Sequence, residues 1–127
     1  MYTKNGKIYH CGVEAALDVI GGKWKPLILW ALGDNVLRFG ELQKGLPGVN
    51  AKMLTKQLRE LELDGVISRT VYPEVPPRVE YSITDFGRTL IPILRELCVW
   101  GTRYLEEGDD QEAIKPSAGC LKNPDRK

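Results

Sequence analysis

Leucines at Leu54, Leu58 and Leu61, behind a Pro-Gly corner, constrain this chain more than any other feature. Spacings of four and three put the three side chains on one helical face, one turn apart, and such a face belongs in a core. Lys52, Lys56 and Arg59 keep the same spacing about half a turn around, so the outer face is a basic stripe. Upstream, Leu46-Pro47-Gly48-Val49 breaks the helical run, because proline lacks a backbone donor and glycine takes the positive φ of a tight corner. Asn50 then caps the second helix, and Asp64-Gly65 stops it. The stretch Phe39–Val66 therefore reads as helix, turn, helix with a cationic outer surface. Lysines at helical spacing are also what any solvated helix face carries, so the stripe alone does not separate a nucleic-acid surface from ordinary solubility.

The next segment narrows the choice. Val66 to Tyr72 and Arg78 to Thr84 alternate apolar and polar residues and read as two strands, joined by the stiff loop Pro73-Glu74-Val75-Pro76-Pro77. A hairpin directly after the second helix of such a pair is the wing of a winged helix. Arg69 and Arg78 carry the charge to reach phosphates or a minor groove from it, although an ordinary edge hairpin has the same pattern. Val36-Leu37-Arg38 is predicted as a short third strand beside the wing.

Ahead of this unit, residues 1–10 are polar and predicted to be frayed. Val13, Ala16, Leu17 and Ile20 mark a first amphipathic helix ended by Gly21-Gly22. A second helix begins near Pro26 and carries Leu27, Ile28, Trp30, Ala31 and Leu32, with Trp24 and Trp30 as core anchors. A last helix is predicted from Thr84, its cap, with Pro92 bending it. Leu90, Ile93, Leu94, Leu97, Trp100, Tyr104 and Leu105 give it more apolar surface than one small domain covers, which calls for a partner, most simply a second copy of the chain. Residues 11–107 thus form the folded unit, and 108–127 lack apolar periodicity and read as a mobile tail.

With 127 residues, 43% of them hydrophobic, the chain supports one modest core. Eighteen basic against 17 acidic residues leave a formal charge of +1, so any DNA contact depends on local segregation of charge. Acidic residues do gather elsewhere, at Glu106, Glu107, Asp109, Asp110 and Glu112. No run is long enough to span a membrane, and the start of the chain lacks the apolar segment of a signal peptide. Three scattered cysteines argue against a disulfide framework and for reduced thiols in a cytoplasm. One histidine, no paired carboxylates in an apolar setting, no Cys/His ligand spacing and no phosphate loop leave nothing for an enzyme, a metal or a cofactor.

Cys11 with Val13-Glu14-Ala15-Ala16-Leu17, the block Ile20-Gly21-Gly22-Lys23-Trp24-Lys25, Arg38-Phe39-Gly40-Glu41-Leu42, Met53-Leu54-Thr55 with Leu58-Arg59-Glu60-Leu61, Val79-Glu80-Tyr81, and Thr84 with Gly87 together resemble the HxlR-type bacterial transcription regulators, relatives of the MarR winged helices. The match runs from about residue 11 to 105. It implies an α+β, mainly helical winged helix-turn-helix whose N- and C-terminal helices form a homodimer interface. Val13, Leu17, Leu90, Ile93, Leu94, Leu97, Trp100 and Tyr104 fall at that interface. It also implies binding to double-stranded DNA at a pseudo-palindromic operator, more often as a repressor. Asn50, Lys52, Thr55, Lys56 and Arg59 are then assigned to the major groove and its flanking phosphates, Arg69 and Arg78 to the wing, and Lys23 or Lys25 to the backbone.

Cys11 is the candidate for chemistry. It lies just ahead of a helix N-terminus and beside His10, where positive potential favours a reactive sulfur. Similar regulators use this cysteine to sense oxidants or electrophiles, often through a disulfide across the dimer, and a packed, inert cysteine is the alternative. Many of them have proline after it, where this chain has Gly12. Cys98 reads as packing within the last helix, and Cys120 as an exposed tail residue. Two further readings stay open: a ligand-responsive regulator in which Cys11 has no redox role, and a winged helix used for protein contacts only.

Overall fold

A computed structural model describes residues 1–107 of the chain. The recognised stretch organises it as expected. α3 (Phe39–Lys44) and α4 (Ala51–Leu63) meet across the corner, where the Val49 N–H donates to the Leu46 carbonyl at 3.1 Å and Gly48 has φ 94°. Asn50 caps α4 with its side-chain oxygen, which accepts from the Met53 N–H at 2.7 Å. At the other end Gly65, at φ 78°, lets the chain reverse: its N–H reaches the Glu62 carbonyl and the Val66 N–H reaches that of Leu61. This pair of bonds closes α4 with a Schellman turn and delivers Val66 straight into the core.

β4 (Ile67–Tyr72) and β5 (Arg78–Ile83) form the wing, antiparallel with Ile67 opposite Ile83 and Tyr72 opposite Arg78. The short β3 (Leu37–Arg38) pairs with the other edge of β5, giving the sheet order β3-β5-β4. α2 (Trp24–Leu32) crosses behind this layer. Its Ile28, Leu29 and Leu32 join Leu42 of α3, Leu54, Leu58 and Leu61 of α4, and Ile83 of β5 in one buried cluster. Trp30 is buried in it and Trp24 packs partly against it.

The root of the wing is tied to the end of α4 by one threonine. Thr84 donates its hydroxyl to the Gly65 carbonyl at 2.7 Å, accepts the Gly87 N–H at 2.9 Å, and sends its own N–H to the Val66 carbonyl at 3.1 Å. Gly87 sits against that carbonyl so closely that a Cβ there would lie 2.1 Å from the oxygen.

Three expectations are corrected. The first ten residues, read as frayed, form a hairpin of β1 (Tyr2–Lys4) and β2 (Lys7–Tyr9), turning at Asn5 and Gly6 with φ of 53° and 77°. Asn-Gly between alternating residues is the favoured two-residue hairpin turn, a signal that overall polarity obscured. Lys7 and Tyr9 both reach Asp18 of α1 (Gly12–Ile20), at 2.9 and 2.6 Å, and their hydrogen bonds, Tyr9's first, hold its carboxyl below its ordinary range. Second, the last helix does not start at Thr84. Thr84 caps a single turn, α5 (Asp85–Arg88), and the long α6 (Ile91–Glu106) begins anew three residues later. Third, Pro92 therefore lies in the first turn of α6, where its missing donor would be unbonded in any case, and it need not bend the helix. The predicted tail, 108–127, lies outside the described residues.

α1 buries no residue in the protomer, and α6 buries only Ile91 and Leu94. Among the described residues no helix is long and apolar enough to cross a membrane.

Candidate nucleic-acid interface

The outer face of α4 carries the expected cations in the open. Lys52, Lys56 and Arg59 are exposed, and among the described residues none has a carboxylate within ion-pair distance. Thr55, between them, is exposed too, but its hydroxyl donates to the Ala51 carbonyl at 2.8 Å, so its remaining capacity outward is as an acceptor. Asn50 uses its oxygen as the cap, which leaves its amide N–H groups as outward donors. Gln57, absent from the sequence reading, donates to Met53 Sδ at 3.5 Å along the neighbouring edge of the helix.

Lys25 is corrected. Its side chain is not at the surface: the residue is 8% exposed, and its ammonium contacts Glu60 of α4 at 2.7 Å. Lys25 hydrogen-bonds the Glu60 carboxylate and holds its pKa below the ordinary 4.5, with Lys56 assisting more weakly. The pair clamps α2 to α4 and neutralises the acid that stands beside Arg59. Lys25 thus acts on the basic face from within, and no local pattern joins residues thirty-five apart. Lys23, at the start of α2, stays exposed with its ammonium 4.6 Å from the centre of the Trp24 ring.

The two wing arginines differ. Arg78 is committed within the wing: its guanidinium lies 4.0 Å from the Tyr72 ring centre, 3.2 Å from Glu74 and 3.6 Å from Glu80. Two carboxylates oppose its one charge, so in the free protomer its charge is less open than that of Arg69. Arg69 is exposed and among the described residues has no acidic partner. The register places it opposite Tyr81, on the side of the sheet that faces α4, so it stands at the wing's root. There Arg59 and Arg69 line one cleft of 280 Å³. Tyr81 and Glu62 line it as well, and neither was picked out from the sequence; counting outward from the five-residue wing loop pairs Tyr81 with Arg69.

Val13 and Leu17 of α1 and Ile93, Leu97, Trp100 and Tyr104 of α6 are exposed as well. Trp100 and Tyr104, 65% and 67% exposed, stack with ring centres 5.6 Å apart. Leu94 is corrected: at 4% exposure it belongs to the protomer core, and Leu90 packs partly against the same core. Cys11 is exposed with a free thiol at the N-cap of α1, where its side chain makes no cap hydrogen bond. His10 does not meet it. The His10 N–H donates to Glu14 at 3.0 Å and its ring nitrogen lies 3.5 Å from the same carboxylate. Cys98 is partly buried against the core, and Cys120 lies outside the described residues. Among the described residues no group of His, Cys, Asp and Glu is placed to hold a metal.

Comparison with known proteins agrees with this architecture. The HxlR-like helix-turn-helix family matches residues 19–109. An HTH-type transcriptional regulator of Methanothermobacter thermautotrophicus is 54% identical over 104 residues, covering 82% of this chain and 77% of its own. The redox regulator HypR in its oxidized form is 52% identical, with a TM-score of 0.70 over 73% of this chain and 96% of that one. The reduced form of the transcriptional regulator YodB from Bacillus subtilis is 34% identical, with a TM-score of 0.68 over 80% of this chain and all of that one (100%). A helix-turn-helix with an open cationic second helix, braced by a wing and matched along most of its length, identifies the chain as a transcriptional regulator that belongs to the HxlR-like helix-turn-helix family.

Proposed function

We propose that the protein is a cytoplasmic, homodimeric regulator that binds a pseudo-palindromic operator in double-stranded DNA, as a repressor, and that Cys11 switches it. The observation that carries the DNA reading is the sorting of charge. Lys52, Lys56, Arg59 and Arg69 stand open on one face, whereas Lys25 and Arg78 are neutralised by acids. Near-zero net charge makes that sorting the source of the local field. Asn50 and Thr55 at the start of α4 suit base edges; Lys52, Lys56 and Arg59 suit phosphates, with Lys23 flanking.

The exposed apolar faces of α1 and α6 support the dimer. α1 packs only Val19 and Ile20 partly against the core and leaves Val13 and Leu17 exposed, and a second copy supplies the missing surface. Two α4 helices about 34 Å apart, one duplex turn, then meet successive major grooves. The free, exposed Cys11 supports the switch, as does likeness to a redox regulator. An oxidant removes two electrons and two protons from two Cys11 thiols and leaves one S–S bond across the dimer.

The test is a mobility shift on the promoter and flanking intergenic DNA of the protein's own gene, with and without diamide. Wild type binds and diamide weakens binding, while Cys11→Ser binds and does not respond. Equal response of the variant leaves a regulator in which Cys11 has no redox role. No shift at low salt leaves a winged helix used for protein contacts.

A further inference from the structure

The cleft between α4 and the wing root has a composition that a flat cationic surface does not need. Thr55, Leu58, Arg59 and Glu62 run along one edge of α4, and Arg69 and Tyr81 close the cleft from the sheet. Arg69 and Tyr81 are direct cross-strand partners on the face that also carries the buried Ile67 and Ile83, so the strand pleat turns Arg69 toward the helix. Arginines from two different elements thus line one cleft of 280 Å³, and neither is ion-paired, although Glu62 lines the same space. Like charges brought together without a paired acid repel, and an anion between them removes that cost. The Thr55 proton is already given to Ala51, so the donors identified for such an anion are the arginine N–H groups.

Resting on the DNA-binding reading above, we infer that this cleft seats one backbone phosphate of the bound duplex, shared by Arg59 and Arg69. Two guanidinium groups and one carboxylate leave a single net positive charge, the complement of the single charge on a phosphodiester. Free inorganic phosphate near neutrality carries more. Lys56 beside Thr55, and Lys52 one turn earlier, continue the cation row along the same helix. A phosphate gripped from both sides fixes the wing against the recognition helix, so Arg69 acts at the root of the wing rather than at its tip.

The experiment measures affinity of the full chain for the intergenic duplex across a salt series, for wild type, Arg59→Ala, Arg69→Ala and the double variant. One shared phosphate makes each single loss about tenfold and the double loss still close to tenfold, far from the roughly hundredfold of independent sites. The log–log salt slope falls by about 0.9 in all three variants. A hundredfold double loss, a slope falling twice as far, or a single variant with no effect overturns the shared phosphate while leaving DNA binding intact. A wild type that fails to bind overturns both. In a second arm, inorganic phosphate is added at fixed ionic strength. Thermal stabilisation of wild type that Arg69→Ala abolishes, with duplex affinity unchanged in that variant, assigns the cleft to a free anion and overturns the proposal. Thermal midpoints are recorded throughout, and Arg→Gln replaces any alanine variant that fails to fold.

Discussion

Replacing Gly87 by alanine is the sharpest test of how the wing is attached, because local and tertiary physics give opposite signs. Within a helical turn such as α5 the exchange favours folding by about 1 kcal/mol through backbone entropy. The structure opposes it. The new Cβ would lie 2.1 Å from the Val66 carbonyl oxygen and 2.8 Å from Ile83 Cγ2, below the 3.0 Å that real Cβ contacts respect. Gly87 is not in the left-handed region, so the penalty is steric and not conformational. The neighbour that has to yield is backbone: the Val66 carbonyl accepts the Thr84 N–H, and Val66 itself closes the end of α4. Overpacking costs about 2 kcal/mol, and weakening the Thr84 bond adds about 1 kcal/mol. Set against the helical gain, the net is about 2 kcal/mol of destabilisation. For a domain of this size that lowers the thermal midpoint by about 8–16 °C. Thermal unfolding followed by circular dichroism reads it, at one fixed protomer concentration, because the proposed dimer makes the midpoint concentration-dependent. A midpoint that stays put or rises refutes the reasoning and shows that Val66 is free to move.

Lys56→Ala is expected to weaken binding to all duplex sequences alike and to lower the salt slope by about one unit; an unchanged slope across a salt titration removes Lys56 from the phosphate contacts. For Glu60 the sign is set by its lowered pKa: the ion pair with Lys25 contributes fully above the unfolded value of 4.5 and is lost as pH falls through the lower folded value. Urea midpoints of Glu60→Gln should therefore fall less than those of wild type on acidification below 4.5, and parallel acid profiles would show that the pair does not stabilise the fold. Trp100→Glu puts a charge in the most apolar part of the α6 face and should give a monomer by sedimentation, with protomer helicity retained; a dimer of unchanged affinity would move the interface elsewhere.

Much of this molecule is legible from neighbours along the chain. The burial of Leu54, Leu58 and Leu61, the Asn50 cap, the stop at Gly65 and the pairing of the wing each arise from residues a few positions apart, through helical period, capping chemistry and turn geometry. The N-terminal hairpin is equally local, carried by the Asn5-Gly6 turn, although the polarity of residues 1–10 masks its alternation. Thr84 and Pro92 are both visible as helix-start residues, and the structure uses each: Thr84 caps the single turn α5, and Pro92 stands in the first turn of α6.

What the sequence by itself determined was the set of elements and the family they build. Which charges remain open was decided by the tertiary fold: Lys25 meets Glu60, Arg78 is caught between Glu74 and Glu80, and Arg69 comes to stand beside Arg59. It also chose between Leu94, drawn into the protomer core, and Leu97, left outside. The reason is physical. Periodicity reports which way a side chain faces relative to its own element, whereas neutralisation and burial depend on what other elements bring to within a few ångströms, and that distance exists only after folding.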